Sequence, residues 1–223
     1  MGVALSGDRA ARVTVGLGSG AQLMAVAEGF GRIDGVPAAN AALQRLRMAF
    51  ERQRRSHRIG RALDRPESAA ALLSGAIARL NDEMFARAAS HADYVSAGCS
   101  ITAVLVVRGY AVAAHLGTTA AYLTRDGRSR AMTPQHVIAE LPVRMLTRAL
   151  GIQPRCEATM ATFEIEDGDT LVLTDANNRR LIVRQFGRDD LEGIAWRAVA
   201  HDGALLARIG AAAFFLLAIL CVR

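Results

Sequence analysis

The sequence contains no lysine, so all 27 residues counted as lysine or arginine are arginines. With 21 acidic residues, the formal net charge is +6. Arginine grips phosphate in a fork that lysine lacks, which hints at phosphorylated or nucleic-acid partners, although codon bias produces the same composition. Aromatic residues are scarce, at 5%. No series of aromatics interleaves the arginines of residues 45–61, so we expect a solvated helix face there and not a nucleic-acid surface.

Cysteine is scarce as well. Cys99, Cys156 and Cys221 are an odd number at wide spacing and form no C-x-x-C pair. This excludes a disulfide framework and a structural zinc site, and it fits a reducing compartment. The N-terminus lacks the charged and apolar regions of a secretory signal. The G-L-G-S-G at residues 16–20 precedes a predicted strand instead of a helix, which excludes a dinucleotide-binding loop.

Hydrophobic residues, by contrast, make up 52% of the 223 residues, enough for one globular domain with a sizeable core. The longest apolar run, at residues 204–222, is broken only by Arg208 and has about the ~20 residues needed to span a bilayer. Arginines cluster before this run, which by the positive-inside bias keeps the domain in the cytoplasm. We therefore expect a domain at 1–203 and a plasma-membrane tail anchor, a transmembrane helix, at 204–223. The alternative is a last core strand followed by an apolar tail.

Two long helices are predicted in the first half of the chain. The first, at about 37–56, starts near Pro37 and carries Leu43, Leu46 and Phe50 at helical spacing. The second follows Pro66 and has a longer apolar stripe. A third helix is predicted at residues 189–201, which open with carboxylates.

Apolar runs separated by turn residues predict the strands. A hairpin is expected within residues 12–29, and three runs between 101 and 127 predict an antiparallel meander. Two more strands flank Asp167-Gly168. Helices followed by strands indicate an α+β layered fold with a second sheet behind the first. His115, inside an apolar run, is expected to be a hydrogen-bonded core histidine.

Six motifs occur in an order that resembles one enzyme family, the metal-dependent protein phosphatases of type 2C. They cover about residues 6–209. The motifs are V-A-E-G-F-G at 26–31, G-C-S at 98–100, L-G-T-T-A-A-Y-L at 116–123, D-G with M-T-P-Q-H at 126–136, L-T-R-A-L-G at 146–151 and D-G-D-T-L-V-L-T-D-A at 167–176. The resemblance implies a four-layer α/β/β/α sandwich of two antiparallel sheets flanked by helices. The flap is shortened to residues 137–144, ahead of an expected L-T-R-A-L-G helix.

The resemblance also implies a magnesium or manganese site. In the family, two such ions share a carboxylate cluster and activate a water that attacks phosphorus. Carried over by motif, the metal ligands are Glu28, the carbonyl of Gly29, Asp175 and Asp202, and the phosphate-binding residue is Arg9. His136 matches the family's turn histidine and is expected to order its loop.

Departures from the family pattern weaken this site. Glu28 stands where the family has aspartate, and displacing a reacting group by about 1 Å can cost on the order of 100-fold in rate. Thr118 replaces another aspartate, and the early N-E-D carboxylates are absent, residues 12–14 being R-V-T. Arg32 replaces a glycine at the expected cleft mouth. We expect the ions to bind weakly or not at all.

The sequence therefore predicts a pseudophosphatase that acts in phospho-signalling by binding a phosphoprotein or a protein kinase, and by contacting a membrane through residues 204–223. The alternative is an active phosphoserine/phosphothreonine phosphatase that uses Glu28, Asp175 and Asp202. A last core strand at residues 204–209 would favour that alternative, because it would bring Asp202 to the site.

Overall fold

The structure of the chain is a computed structural model. The structure describes residues 4–6, 10–18, 20–34, 36–55, 59–89, 97–126, 128–138, 145–175, 205–208 and 215–218. In chain order the elements are β1 (Ala4–Ser6), β2 (Ala10–Gly18), β3 (Ala21–Phe30), β4 (Arg32–Ile33), β5 (Val36–Pro37), α1 (Ala38–Arg55), α2 (Ile59–Ala62), α3 (Pro66–Ala89), β6 (Gly98–Val107), β7 (Tyr110–Leu116), β8 (Ala120–Arg125), β9 (Arg128–Ala131), β10 (Val137–Ile138), β11 (Met145–Leu146), β12 (Thr159–Glu164), β13 (Thr170–Thr174), β14 (Leu205–Arg208) and β15 (Phe215–Ala218).

Two antiparallel sheets form the body of the fold. The first has the strand order β1-β2-β3-β6-β7-β12 and the second the order β15-β14-β13-β8-β9. One apolar cluster joins the first sheet to α1 and α3. Another, which includes Val26, Val104 and Leu171, lies between the sheets. These layers confirm the predicted α+β sandwich. The helix predicted at residues 189–201 lies outside the described residues.

The long helices follow the predicted apolar stripes. Leu43, Leu46 and Phe50 are buried along one side of α1, whose bounds match the predicted 37–56 to within a residue at each end. Three arginines in its last turn stabilise the helix, because their positive charges lie near the negative end of the helix dipole. Pro66 opens α3, where its missing N–H costs no helical hydrogen bond.

The predicted meander of three strands is wrong at its second turn. β6 and β7 pair with each other, but β7 pairs with β12 on its other side, while β8 lies in the second sheet between β9 and β13. The chain changes sheets at Gly117, whose φ of 97° belongs to the left-handed region. A three-run apolar pattern does not distinguish a meander from a crossover between stacked sheets.

The L-T-R-A-L-G segment is not a helix, contrary to expectation. Its first residue belongs to β11, which pairs with β10, and Leu150 forms a single bridge to Cys99. Leu150 exchanges two backbone hydrogen bonds with Cys99, at 3.1 and 2.9 Å. Pairing with β6 therefore takes the backbone groups that a helix would use.

The tight turn between β12 and β13 is closed by an ion pair. Arg125, at the end of β8, donates from Nε and Nη2 to the two carboxylate oxygens of Asp169 at 2.8 and 2.7 Å. The Glu166 N–H also donates to Asp169, at 2.8 Å. Asp169 is 2% exposed, so these bonds satisfy a buried carboxylate.

The strand β14 lies within the apolar C-terminal run. It pairs antiparallel with β13, with Leu205 opposite Leu173, and β15 pairs with β14. This is the arrangement expected of a last core strand. Among the described residues, no helix combines the length and apolar character needed to cross a membrane. The predicted tail anchor thus finds no support there.

Candidate functional site

Glu28 and Gly29 lie near the end of β3, beside β6. Glu28 is opposite Ser100, and Gly29 is opposite Cys99. A Cβ on Gly29 would lie 2.7 Å from the Ala39 backbone nitrogen, so only glycine lets the strand approach the first turn of α1 this closely. Burial raises the pKa of the Cys99 thiol to about 12, which keeps it protonated and unsuited to bind metal.

Asp175 directly follows β13 in the second sheet. Its residue is 6% exposed. The preceding Thr174 pairs with Ala120, the first residue of β8, so the next position along the ladder is level with Thr119. Asp175 therefore lies at the end of the second sheet where the chain crosses over from the first.

Hydroxyl groups join the two sheets at this end. Ser100 Oγ accepts from the Thr118 N–H at 3.1 Å and lies 3.2 Å from Thr118 Oγ1. Thr102 Oγ1 lies 2.8 Å from Thr119 Oγ1. Since Ser100 is the strand neighbour of Glu28, these bonds bring the sheet ends that carry Glu28 and Asp175 together. The two predicted ligands therefore share one region.

Arg12 is the unexpected member of this region. It is 3% exposed and pairs with Val26 on the neighbouring strand β3. Val26 belongs to the cluster between the sheets, and side chains of paired residues share a face. Glu28, two residues along β3, lies on that face too and is a diagonal neighbour of Arg12 within reach of a long side chain. Arg12 therefore occupies the position diagonal to the predicted metal ligand, on the same face of the sheet.

The strand register shows which residue of β2 is opposite Glu28. R-V-T at residues 12–14 stands where the family has its early carboxylates, and the residue opposite Glu28 is Ala10. Thr14 pairs with Met24, four residues from Glu28 along β3. The position that could best share an ion with Glu28 is therefore occupied by a methyl group.

A buried histidine extends the hydrogen-bond network between the two sheets. His115 is fully buried, with Nδ1 2.9 Å from Thr102 Oγ1 and Nε2 3.1 Å from the Gly117 carbonyl oxygen. Because a carbonyl only accepts, Nε2 carries the proton, and in the neutral ring Nδ1 accepts from Thr102. The Thr102 oxygen then accepts from Thr119. The prediction of a satisfied core histidine is confirmed.

A second histidine, His136, lies against the first. The ring centroids of His115 and His136 are 4.8 Å apart. His136 Nδ1 accepts from the Gly117 N–H at 3.1 Å, so its Nε2 carries the proton and donates to Thr159 at 2.9 Å. Burial lowers the pKa of His136, and the nearby Arg148 lowers it further. His136 fixes its loop as a neutral ring, as expected.

Only the pattern of hydroxyl residues pointed to this network. Ser100 and Thr102 alternate within an apolar strand run, and two threonines follow Gly117. Alternation places both hydroxyls on one face of the strand. These residues belong to the matched motifs, but the motifs do not predict the bonds between them.

The described residues do not fit a two-metal centre. Magnesium and manganese require several oxygen ligands, mostly carboxylates. Within the part of the chain that the structure describes, no three histidine, cysteine, aspartate or glutamate residues are close enough to hold an ion. Ser100, not a carboxylate, is opposite Glu28 on β6, and Arg12 brings a positive charge to the same face. The other two predicted site residues, Arg9 and Asp202, lie outside the described residues.

Comparison with known proteins agrees with the two-sheet architecture. The family model for protein phosphatase 2C matches residues 14–141. A bacterial serine phosphatase structure matches with a TM-score of 0.66 and 20% identity, over 78% of this chain and 74% of that one. The serine/threonine phosphatase of S. agalactiae gives 0.67 and 18%, over 79% and 76%.

A third solved structure gives the same result. The serine/threonine phosphatase Stp1 from Staphylococcus aureus matches with a TM-score of 0.66 and 18% identity, over 85% of this chain and 79% of that one. No curated protein matches significantly. Identities this low establish only the fold, but the family model spans more than half of the chain. Together with the two stacked sheets and their helix layer, it shows that the chain belongs to the protein phosphatase 2C family.

Proposed function

We propose that this domain is a pseudophosphatase, which holds divalent ions weakly or not at all and acts in phospho-signalling by binding a phosphoprotein or a protein kinase. The family generally uses magnesium or manganese ions. The observation that carries the proposal is Arg12, buried on the same face as Glu28. A positive side chain on this face opposes the binding of a cation beside Glu28.

Electrostatics supports this step. At about 6 Å and an effective dielectric constant of ~20, a guanidinium and a divalent ion repel each other by roughly 5 kcal/mol. One carboxylate is then needed merely to offset the repulsion. Ala10, opposite Glu28, supplies none. Besides Glu28, the only carboxylate among the described candidate ligands is that of Asp175. Two carboxylates are too few for a cluster that binds two ions.

Manganese titration by calorimetry tests the metal site. We expect no pair of tightly bound ions in the full chain, and the same heats for Asp175→Asn. A variant with Ala10→Asp, Arg12→Asn and Glu28→Asp restores oxygen ligands on one face and removes the cation, so it should bind manganese more tightly. Tight binding of two ions by the unchanged chain, lost in Asp175→Asn, would contradict the proposal.

Binding is tested separately. A phosphoserine peptide and its unphosphorylated form, titrated in excess chelator, report recognition without metal. We expect tighter binding of the phosphorylated form and a loss with Arg9→Gln, because arginine pairs with phosphate bidentately. Equal binding of the two peptides would refute phosphate recognition.

One observation favours an active phosphatase as a second candidate. β14 pairs beside β13, and Asp202 precedes β14 by three residues in the sequence. Such an enzyme would use Glu28, Asp175 and Asp202 as its ion ligands. Its test is turnover of a small phosphoester with manganese. Activity abolished by both Asp175→Asn and Asp202→Asn would establish this candidate over the first.

A further inference from the structure

A groove lies on the helix layer, which is formed by α1 and α3. It is separate from the sheet-end site, the end of the two sheets that carries Glu28 and Asp175. It runs between α1 and α3, with the β4–β5 hairpin at one end, and has a volume of about 640 Å³. Ala76 and Leu80 of α3 and Leu46 and Ala49 of α1 contribute its apolar lining. A space of this size accommodates several side chains of a bound segment.

The groove carries an excess of positive charge. Its carboxylates belong to Asp34 and Glu83. Four arginines outnumber them: Arg45, Arg52, Arg79 and Arg87. An excess of one sign of charge in a concave surface raises the local concentration of a partner of the opposite charge.

Two of the four arginines form ion pairs with the carboxylates of the groove. Arg45 lies 3.3 Å from the Asp34 carboxylate and 3.8 Å from that of Glu83. Arg87 donates to Asp34 at 2.5 Å. Asp34 has a φ of 52°, a left-handed conformation that aspartate tolerates in turns. The hairpin thus holds its carboxylate between the two helices and neutralises part of the groove.

No described carboxylate neutralises the other two arginines, so their charge is accessible to a partner. Arg52 and Arg79 are exposed and form no ion pair with the described residues. Met48 of α1 lines the same groove, is 56% exposed and is one of the few large hydrophobic residues on the described surface. Exposed apolar groups next to unneutralised charge are typical of protein-binding surfaces.

We propose that this groove binds a protein segment that carries several carboxylates around an apolar residue. The carboxylates would pair with Arg52 and Arg79, and the apolar residue would cover Met48. A segment fits better than a membrane, because the apolar lining is recessed between two helices where a flat bilayer does not reach. The groove belongs to the helix layer, so this proposal holds whether or not the sheet-end site hydrolyses phosphate.

A labelled peptide with two leucines between runs of glutamate tests the proposal. Its binding to the full chain is measured by fluorescence anisotropy at ~0.15 M salt, where distant charges are screened. Arg52→Glu with Arg79→Glu should weaken binding about tenfold, since two exposed pairs are lost and reversed. Met48→Ser should weaken it about threefold through lost apolar contact.

The matched control is Arg108→Glu with Arg128→Glu, which changes the net charge equally at exposed residues outside the groove. It should bind the peptide as the unchanged chain does. Equal weakening by both pairs would reduce the effect to general charge and overturn the proposal. Absence of peptide binding would overturn it too, as would binding only to phosphatidylserine vesicles. Circular dichroism verifies that each variant is folded.

Discussion

Gly117 and His136 are bonded to each other twice. The Gly117 N–H donates to His136 Nδ1 at 3.1 Å, and the His136 N–H donates to the Gly117 carbonyl oxygen at 3.0 Å. The first bond requires an unprotonated Nδ1. Protonation of the His136 ring therefore removes one of the two bonds that tie the crossover between the sheets to the loop after β9, and the backbone bond does not depend on the ring.

This bond predicts a pH dependence of stability. The folded-state pKa of His136 lies below its ordinary value of 6.5, so the unfolded chain binds the proton more tightly. The contribution is complete above pH 6.5 and declines as the pH falls from there through the folded-state pKa. The free energy of unfolding, measured by urea denaturation across this range, should decrease with acidification.

The groups around His136 are His115, Arg148 and Thr159. His136→Asn keeps an acceptor for the Gly117 N–H without a titrating ring. It should flatten the stability profile below pH 6.5 relative to the unchanged chain. An unaltered profile would show that another group causes the dependence.

Gly117→Ala should be severely destabilising. The residue has a φ of 97°, and an added Cβ would lie 2.5 Å from the Ser100 Cβ. A left-handed alanine costs about 1–2 kcal/mol, and displacing Ser100 removes its bonds to Thr118 at about 1 kcal/mol each. We expect a loss of about 3 kcal/mol in urea denaturation.

Gly109→Ala is the matched control for this substitution. Its φ of 83° is similar, but no atom of the described residues lies within 4 Å of the added Cβ. Only the backbone cost applies, about 1–2 kcal/mol. Similar losses for both variants would mean that the contact with Ser100 does not matter.

Arg125→Gln should raise the pKa of Asp169, because it removes the cation that pairs with this buried carboxylate. Burial raises the pKa of this carboxyl, but the Arg125 hydrogen bond and the Glu166 N–H outweigh it, so the net shift is downward. Its stabilising effect is present above the ordinary pKa of 3.8 and is lost as the pH falls through the folded-state value. Without Arg125, the pKa should rise, as a carbon-13 carboxyl titration would show.

The same substitution should lower the free energy of unfolding at neutral pH by about 2 kcal/mol. This is less than for a fully buried pair, because the Arg125 side chain is 36% exposed. Arg128→Gln, at an exposed position on β9, should leave both quantities unchanged. A carboxyl titration unaffected by Arg125→Gln would refute the pairing.

A double-mutant cycle tests whether Arg12 compensates Glu28. Arg12→Met should destabilise the fold, because it leaves a carboxylate on the same face without its cation. If the two charges interact, adding Glu28→Gln should recover part of that loss, with a coupling of about 1–3 kcal/mol by urea denaturation. Strictly additive effects would show that Arg12 balances a different group.

The sequence predicted those features that depend on local periodicity. The apolar stripe of Leu43, Leu46 and Phe50 determines α1 almost to the residue, since a helix face repeats every few positions. The assignment of β7 and β8 to different sheets depends instead on the approach of Gly117 to Ser100, residues distant in the chain. The apolar pattern of a strand does not predict a contact between residues so far apart in the sequence.

The candidate site was predictable only in part. Motif order named Glu28 and Asp175 as ligands, and the strand registers put both at the end of the sheets where the chain crosses over, but their role as ligands stays a prediction. Motif order did not foresee the burial of Arg12, because an arginine at an alternate strand position looks like a solvent-facing residue until the second sheet covers it. Nor did it show that Ala10, and not a residue at 12–14, is opposite Glu28, since register depends on the turn at Gly18 and Gly20.

The bonds from Ser100 to Thr118 and from Thr102 to Thr119 have a consequence for how the two sheets stay together. They join the sheets through hydroxyl groups, which do not ionise at any pH where the protein folds. Replacing a carboxylate at this end, or changing the pH, therefore leaves these bonds between the sheets in place.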